Sequence, residues 1–235
     1  MAIYWFEQGQ GDLPPSDDWL TADEALRLGA MRFEKRRADW RLGRWTAKLA
    51  VSAYCNVPCS TECLRRFEIR PETSGAPNVW IRKRPAPLTI SLSHRDGAAV
   101  CAVAAAGVEL GCDLETVEPR SPAFLADYFT SREQLLVEQA AIADRPRLVA
   151  LLWSAKESAL KALRLGLRLD TRRVEVTGAD GWQSSNEAND WRPLRVTCES
   201  RCYDGWWREA GRLVRTVLAA PRVRQPPLAL ESWSA

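Results

Sequence analysis

Hydrophobic and polar positions alternate with two different periods along the chain, and these periods predict its elements. Apolar residues recur at helical spacing from Arg145 to Leu165, and a second long helix is predicted from about Met31 to Tyr54, before Pro58. Polar residues 181–190 predict a loop, and the tail from Pro221 is predicted to be extended. Short apolar runs between turn residues predict strands at Leu88–Leu92, Ala98–Ala106, Val174–Thr177, Leu194–Cys198 and Leu213–Ala219.

Start and stop signals locate the ends of several of these elements. Thr21 followed by Glu24, and Thr130 followed by Glu133, are capping boxes that predict two short helices. Gly166 is placed to end the later long helix as its C-cap. The turn at residues 95–97, Arg-Asp-Gly, predicts a hairpin between the first two strands.

The chain resembles itself at an offset of 108 or 109 residues, which predicts two similar halves. The matching segments are residues 20–24 with 129–133, 45–48 with 153–156, and 96–97 with 204–205. We therefore predict an α+β fold that is a pseudo-dimer of two α/β halves, residues 1–108 and 109–235, each an antiparallel sheet packed on a long helix. Chance similarity among common helix-start and turn residues is the alternative.

Composition and charge exclude several classes of function. The 235 residues are 46% hydrophobic, enough to build a core, and the net charge of +3 is too small for a dedicated nucleic-acid-binding protein. The only histidine, His94, excludes any site that needs two. Lysine is rare, with 5 Lys among 33 basic residues, so the position of each lysine is informative.

Targeting signals and cysteine usage predict the compartment. The first basic residue is Arg27, so no charged segment precedes an apolar stretch as in a signal peptide. The longest apolar run, from Val100 to Val108, is far shorter than the roughly 20 residues of a membrane-spanning helix. We expect a soluble, cytoplasmic protein with no membrane partner, whose 7 cysteines are reduced.

Two acidic residues share one face of a predicted strand. In the segment Gly111-Cys-Asp-Leu-Glu, alternation along the strand points Asp113 and Glu115 the same way. Adjacent like charges repel unless a cation lies between them, and Mg2+ is commonly held by one or two carboxylates together with substrate phosphates. An exposed strand face with ordinary acidic residues is the alternative.

A second group lies on the later long helix, in Trp153-Ser-Ala-Lys-Glu-Ser-Ala-Leu-Lys. Glu157 and Lys161 are four residues apart and share a helix face, which is also the spacing of an ordinary surface salt bridge. However, two of the five lysines, Lys156 and Lys161, fall within this segment. Because lysine is a compact charge suited to phosphate, their presence favours a phosphate-binding role.

A third group is basic and lies on the earlier long helix. Arg37, Arg41, Arg44 and Lys48 follow at spacings of 4, 3 and 4, which predicts one basic face. This face is either solvated or a site for several phosphates. The segment Ser91-Leu-Ser-His closes a predicted strand.

Together these motifs resemble the 4′-phosphopantetheinyl transferases of the surfactin-synthetase-activating type. That family is marked by Gly-x-Asp-x-Glu and, some forty residues later, Trp-x-x-Lys-Glu-x-x-x-Lys. This chain has both, from Gly111 to Glu115 and from Trp153 to Lys161. The family's Ser-x-Ser-His matches the segment that ends in His94, and its arginine-rich helix is similar to residues 36–44. The resemblance covers about residues 20–175.

The resemblance implies transfer of the 4′-phosphopantetheine arm of coenzyme A to a serine of an apo carrier protein, with release of adenosine 3′,5′-bisphosphate. The carrier would serve polyketide, nonribosomal peptide or fatty acid synthesis, and the enzyme would act as a monomer. The first half would cradle coenzyme A and the second half would bind metal and catalyse. By resemblance, the residues that bind coenzyme A are Arg36, Arg37, Arg44, Ser93, His94, Lys156 and Lys161. The ligands of Mg2+, with Mn2+ as an alternative ion, are Asp113, Glu115 and Glu157. The catalytic residues are Glu157, Lys161 and Asp113.

One departure from the family pattern affects the coenzyme site. The family often has Gly-Lys-Pro ahead of the Ser-His segment, but here the lysine is replaced by Ala76. Either affinity for the 3′-phosphate is reduced, or Arg82, Lys83 or Arg84 substitutes. Two other functions remain open from the sequence: a magnesium-dependent pyrophosphate hydrolase acting on a nucleotide coenzyme, and a non-catalytic module that binds carrier proteins.

Overall fold

A computed structural model describes residues 1–182 and 190–230, and the chain divides into two compact units. The first unit comprises residues 1–108 and the returning C-terminal segment from Pro227, and the second comprises Glu109–Pro226. The first break between the units falls after Val108, and the segment from Pro227 groups with the first unit rather than with the second. Within the described ranges, no helix has the length and hydropathy needed to cross a membrane.

The first unit packs two sheets with the long helix α2. One sheet has strand order β12-β1-β6-β5, in which only the short β12 runs parallel to its neighbour, and the other has order β2-β3-β4. The apolar face of α2, including Ala47 and Val51, packs in a core with Val103 of β6. The elements are β1 Tyr4–Gly9, α1 Ala22–Gly29, α2 Glu34–Tyr54, α3 Thr61–Leu64, β2 Phe67–Pro71, β3 Pro77–Ile81, β4 Arg84–Pro85, β5 Leu88–Arg95, β6 Ala98–Ala105 and, from the C-terminal segment, β12 Leu228–Ala229.

The second unit is a five-stranded antiparallel sheet with order β7-β11-β10-β9-β8, covered on one face by the long helix α6. Leu151, Ala155 and Ala159 of α6 pack in a core with Val196 and Leu218 of the sheet. The mixed α+β class with antiparallel sheets is thus confirmed. The elements are β7 Glu109–Thr116, α4 Pro122–Tyr128, α5 Ser131–Gln139, α6 Arg145–Ala162, β8 Val174–Ala179, β9 Arg192–Cys198, β10 Arg201–Ala210 and β11 Leu213–Ala220.

The predicted hairpin and both capping boxes are confirmed. Strands β5 and β6 pair with Arg95 opposite Ala98, and the turn residues Asp96 and Gly97 have φ of 47° and 74°. These left-handed values suit a two-residue hairpin turn. In α1 and α5, Thr21 and Thr130 each accept a hydrogen bond from the backbone N–H three residues later.

Two details of local structure differ from what the sequence suggests, and one predicted loop lies mostly outside the described residues. Asp204 and Gly205, which match the turn residues Asp96 and Gly97 in the repeat, are inside strand β10, and a Cβ at Gly205 would lie 1.9 Å from the Val217 carbonyl oxygen. This glycine therefore permits close strand packing. Helix α6 ends at Ala162, and Arg164 (φ 57°) takes the left-handed position expected of Gly166. The tail from Pro221 is predicted to be extended, and it contains the short strand β12. Most of the predicted loop at 181–190 lies outside the described residues.

Each unit contains the same buried ion pair between its short and long helices. In the first, Lys48 Nζ lies 2.6 Å from Glu24 Oε2; in the second, Lys156 Nζ lies 2.8 Å from Glu133 Oε2. Both glutamates are the third-position residues of the capping boxes, and all four side chains are almost fully buried. The two repeat segments that were found in sequence therefore make equivalent contacts in their own units.

Candidate active site

Strand β7 and helix α6 approach each other unusually closely at Gly111. A Cβ at this position would lie 1.8 Å from the Ser158 carbonyl oxygen and 2.7 Å from the Ala162 amide nitrogen. No side chain fits at such distances, so only glycine permits this approach of the two backbones. The glycine of Gly-x-Asp-x-Glu thus positions the strand, two residues before Asp113, against the helix that carries Lys161.

Three small hydroxyl side chains hold α6 on the sheet beside this contact. Thr216 Oγ1 of β11 lies 2.8 Å from Ser154 Oγ and 2.7 Å from Ser158 Oγ, and it donates to the Ser154 carbonyl oxygen at 2.9 Å. All three residues are buried, and Thr216 is directly opposite Asp113 in the strand register. This hydrogen-bonded layer fixes the helix relative to the acidic face of β7.

Lys161 and Asp113 form the central ion pair of the site. Lys161 Nζ lies 2.7 Å from Asp113 Oδ1 and donates to the Cys112 carbonyl oxygen at 3.0 Å. Burial, the largest single effect, would lower the pKa of Lys161, but Asp113, Cys112 and Glu157 together outweigh it and the pKa is raised. Lys161 therefore stays protonated, and the two motifs found in sequence meet at this pair.

Glu157 is a carboxyl group of the site whose pKa is raised above its ordinary value. Burial raises its pKa, and the negative charge of Asp113 raises it further. Lys161 partly offsets this shift, while Glu115 adds a smaller upward contribution. The three carboxylates predicted from the sequence are therefore close enough to influence one another.

Glu115 carries a basic partner that the sequence reading missed. Its Oε1 accepts a hydrogen bond from Arg120 Nη2 at 2.9 Å and another from the Thr116 amide at 3.0 Å. The same Arg120 nitrogen lies 3.0 Å from Glu118 Oε1, and its guanidinium lies 5.2 Å from the Phe124 ring. Arg120 lies beyond the end of β7, where periodicity gives no signal.

The donor chemistry of the acidic face suits a hard divalent ion. Asp113 and Glu115 are each only 6% exposed and share a strand face, and carboxylate oxygens are ligands that Mg2+ prefers. However, in the part of the chain that the structure describes, no group of three His, Cys, Asp or Glu side chains forms a preformed metal-binding site. Two of the three predicted ligands are instead engaged by Lys161 and Arg120. The residues fit an ion held by one or two carboxylates and completed by substrate phosphates.

Lys156 has a structural environment that does not suit the predicted role in coenzyme binding. Besides Glu133, its ammonium group donates to the carbonyl oxygens of Thr171, at 3.0 Å, and Val174, and its side chain is 0% exposed. Three partners use all three of its N–H bonds. Burial lowers its pKa, and Glu133 counters this. We therefore assign Lys156 to the packing of α6 rather than to ligand contact.

Most of the predicted basic face of α2 is also occupied within the first unit. Arg41 donates to Asp17 Oδ1 at 2.7 Å and to the Pro14 carbonyl oxygen, and Lys48 pairs with Glu24. Arg44 is also near a carboxylate, since its Nε lies 4.0 Å from Glu24 Oε1. Its guanidinium lies 4.9 Å from the Trp40 ring, and its buried Nε makes no hydrogen bond to the described residues.

Burial lowers the pKa of Arg44 to about 10. This value lies well above neutral pH, so the side chain is cationic. The Nε–H, which lies 4.0 Å from Glu24 Oε1 and makes no hydrogen bond to the described residues, could donate to an anionic oxygen, which is compatible with the predicted contact to a coenzyme phosphate.

The other predicted coenzyme residues lie at two places in the first unit. Arg36 and Arg37 are exposed in the first turn of α2. His94, on β5, lies beside the same helix, because a Cβ at Gly43 would come within 3.9 Å of His94 Cδ2. Ser93 is half-buried next to it.

The structure separates the candidates for replacing the missing lysine from Ala76. Arg82 and Lys83 form the left-handed turn after β3, with φ of 49° and 65°, whereas Ala76 directly precedes that strand. The five residues of β3 span roughly 16 Å at the rise of an extended strand. Substitution for the lysine by Arg82, Lys83 or Arg84 would therefore require the phosphate to bind at the opposite end of β3.

Residues 109–203 match the 4′-phosphopantetheinyl transferase superfamily. The matched segment is less than half of the chain, but it runs from β7 into β10 and includes Gly111, Asp113, Glu115, Glu157 and Lys161. The match supports a transferase that acts on carrier proteins with phosphopantetheine as the transferred group. No curated protein matches the chain. In this chain, the contacts of Gly111 and Lys161 give physical reasons for the glycine that begins the first motif and the lysine that ends the second.

Proposed function

We propose that the chain is a 4′-phosphopantetheinyl transferase of the surfactin-synthetase-activating type. It would transfer the phosphopantetheine arm of coenzyme A to a serine hydroxyl of an apo acyl, peptidyl or aryl carrier protein. The observation that supports this most directly is the ion pair between Asp113 and Lys161, at 2.7 Å, because it joins the two motifs that mark the family. The superfamily match over residues 109–203 supports the same reaction class.

The acidic face of β7 would hold a magnesium ion. Asp113 and Glu115 are the first candidates as ligands, and Glu157 is the third. When bound, Mg2+ would neutralise charge on the pyrophosphate of coenzyme A and on the leaving phosphate. Lys161, cationic beside Asp113, would add a fixed positive charge where that leaving phosphate develops negative charge.

Glu157 is the best candidate for the general base. A carboxylate with a raised pKa is a stronger base, and burial and Asp113 both raise the pKa of Glu157. In the reaction, the serine oxygen forms a bond to the β-phosphorus while the bond from that phosphorus to the bridging oxygen breaks. The serine proton goes to Glu157, and the bonding electron pair leaves with adenosine 3′,5′-bisphosphate.

The predicted coenzyme contacts of the first unit complete the proposal. Arg36, Arg37, Arg44 and His94 would bind phosphate oxygens, and Ser93 would add a hydroxyl. Among these, Arg44 has the clearest structural support, since its buried Nε lies 4.0 Å from Glu24 Oε1 but makes no hydrogen bond within the described residues. Lys156 is left out of the ligand set because three protein groups use its donors.

The direct test is to incubate the protein with coenzyme A, Mg2+ and an apo carrier protein, and to measure the intact mass of the carrier. We expect the carrier to gain one phosphopantetheine, and Asp113→Asn protein to give no gain. Acyl, peptidyl and aryl carriers should all be tried, because the sequence does not identify the carrier. If none of them gains mass, the proposal is wrong.

The same experiment distinguishes the two other functions. A pyrophosphate hydrolase would consume coenzyme A when no carrier is present, which chromatography of the nucleotide products would show. A non-catalytic module would bind the carrier without changing its mass, and Asp113→Asn would not alter that binding. Carrier-dependent release of adenosine 3′,5′-bisphosphate is the result that only the transferase gives.

A further inference from the structure

A single nitrogen of the Arg120 guanidinium contacts two carboxylates. Its Nη2 lies 2.9 Å from Glu115 Oε1 and 3.0 Å from Glu118 Oε1. The two acceptors differ in environment, because the Glu115 side chain is 8% exposed and the Glu118 side chain is 36% exposed. The guanidinium therefore bridges a buried carboxylate and one near the surface.

This bridge competes with the proposed role of Glu115. A carboxylate oxygen that accepts hydrogen bonds from both Arg120 and the Thr116 amide is a poor ligand for an added cation. Consistently, the described residues contain no ready group of three metal-binding side chains, although suitable carboxylates are present. Either Arg120 leaves Glu115 when an ion binds, or Glu115 is not a ligand.

We propose that Arg120 is the resident counter-ion of Glu115 and exchanges with the divalent cation, releasing Glu115 while it keeps its contact with Glu118. This inference rests on the proposed function, because it takes Glu115 as a ligand of the magnesium ion. The exchange is favourable in charge, since a buried carboxylate is paired with a cation before and after it. It is also local, since Arg120 keeps its second partner, Glu118, throughout.

The proposal predicts opposite effects for the two partners of the bridge. Arg120→Gln removes the competing cation and should raise affinity for the divalent ion about tenfold, the size of a partly buried charge pair. Glu118→Gln removes the alternative partner, so Arg120 holds Glu115 more firmly and affinity should fall. The readout is Mn2+ binding to the protein without carrier, measured by electron paramagnetic resonance and, for Mg2+, by calorimetry.

A double-mutant cycle separates exchange from simple electrostatics. If Arg120 exchanges, Glu118→Gln should have no effect once Arg120→Gln is present, because the bridge no longer exists. If each charge merely adds to the field at the site, the two effects should add. Additive effects would overturn the proposal. Arg132→Gln is the matched control, since it removes an exposed arginine paired with Glu175 and should leave affinity unchanged.

The experiment also distinguishes failure of this inference from failure of the proposed function. Equal affinity in the original and Arg120→Gln proteins would exclude the exchange but leave the transferase proposal intact. Absence of divalent binding to both proteins, even with coenzyme A present, would overturn both. Circular dichroism of Arg120→Gln and of Arg120→Lys confirms that any change in affinity comes from folded protein.

Discussion

Lys156 Nζ lies 2.8 Å from Glu133 Oε2 in the interior of the second unit, and neither side chain is more than 1% exposed. Glu133 also accepts hydrogen bonds from the Thr130 amide at 2.9 Å and, through its other oxygen, from the Val176 amide at 3.0 Å. One carboxylate thus joins the start of α5, the long helix α6 and the edge strand β8.

Glu133→Gln should strongly destabilise the protein. The substitution leaves the Lys156 ammonium buried without its counter-charge, and removing one partner of such a pair costs about 3–5 kcal/mol. Urea denaturation followed by circular dichroism measures the loss. Arg132→Gln, next to it in sequence, breaks only the exposed pair with Glu175 and should cost less than about 1 kcal/mol. Similar costs for the two variants would contradict this structural role.

The repeat in the sequence identifies the residues of this ion pair but not the contact between them. Matching of residues 20–24 with 129–133 and of 45–48 with 153–156 marked the capping-box glutamates and the buried lysines, but not their contact. The contact forms between segments that are 23 or 24 residues apart, Glu24 to Lys48 and Glu133 to Lys156, so only packing reveals it. Because this contact is not visible in the sequence, the motif alone predicts Lys156 as a ligand residue.

Local sequence patterns predict the structural features that depend on neighbouring residues in the chain, but not those that depend on tertiary packing. The shared strand face of Asp113 and Glu115 and the hairpin turn at Asp96-Gly97 follow from periodicity and turn chemistry, and both are observed. Asp204-Gly205 looks identical to that turn in sequence, yet close packing against Val217 places it within a strand. Arg120 carried no periodic signal because it follows the end of β7.

Gly111→Ala should abolish activity and lower stability. The added Cβ would lie 1.8 Å from the Ser158 carbonyl oxygen, so β7 and α6 must separate. Separation weakens the packing between strand and helix, and overpacked cores typically lose about 1–3 kcal/mol of stability. It also lengthens the contact between Asp113 and Lys161. Thermal unfolding and the carrier mass assay measure the two effects.

Gly29→Ala is the control for this substitution. Gly29 lies at the end of α1, and nothing comes within 4 Å of an added Cβ there. Its alanine variant should retain full activity and at least the original stability. Full activity in Gly111→Ala would show that the close approach of β7 and α6 does not position the site.

Glu157→Gln should stabilise the metal-free protein at neutral pH. Burial and Asp113 raise the pKa of Glu157 above its ordinary value of 4.5, so the folded state binds this proton more tightly than the unfolded state. The carboxylate therefore destabilises the fold increasingly as pH rises from 4.5 through the raised pKa. Calorimetry in the presence of a chelator should show the Gln variant melting at higher temperature at pH 7.

The advantage of Glu157→Gln should disappear as pH falls below 4.5, because the carboxyl group is then protonated in both folded and unfolded states. Glu138→Gln, which replaces an exposed carboxylate on α5, is the control for the substitution itself. A Glu157→Gln protein that is less stable than the original at pH 7 would contradict the unfavourable burial of this charge. The variant should also be inactive, since Gln cannot accept the serine proton.

Lys161→Met should lower kcat about 100- to 1,000-fold at saturating Mg2+, the usual loss on removing one group that stabilises transition-state charge. The reason is that Lys161 is a fixed cation: it is anchored by the Cys112 carbonyl oxygen as well as by Asp113, and it lies on the helix held by Thr216. Arg120, by contrast, is the counter-ion that we propose exchanges with the divalent ion, so its loss should be compensated by the ion. Steady-state kinetics with varied Mg2+ separate the two cases. If excess Mg2+ restores the rate of Lys161→Met, then Lys161 is merely another counter-ion, displaced like Arg120, and does not act on the leaving phosphate.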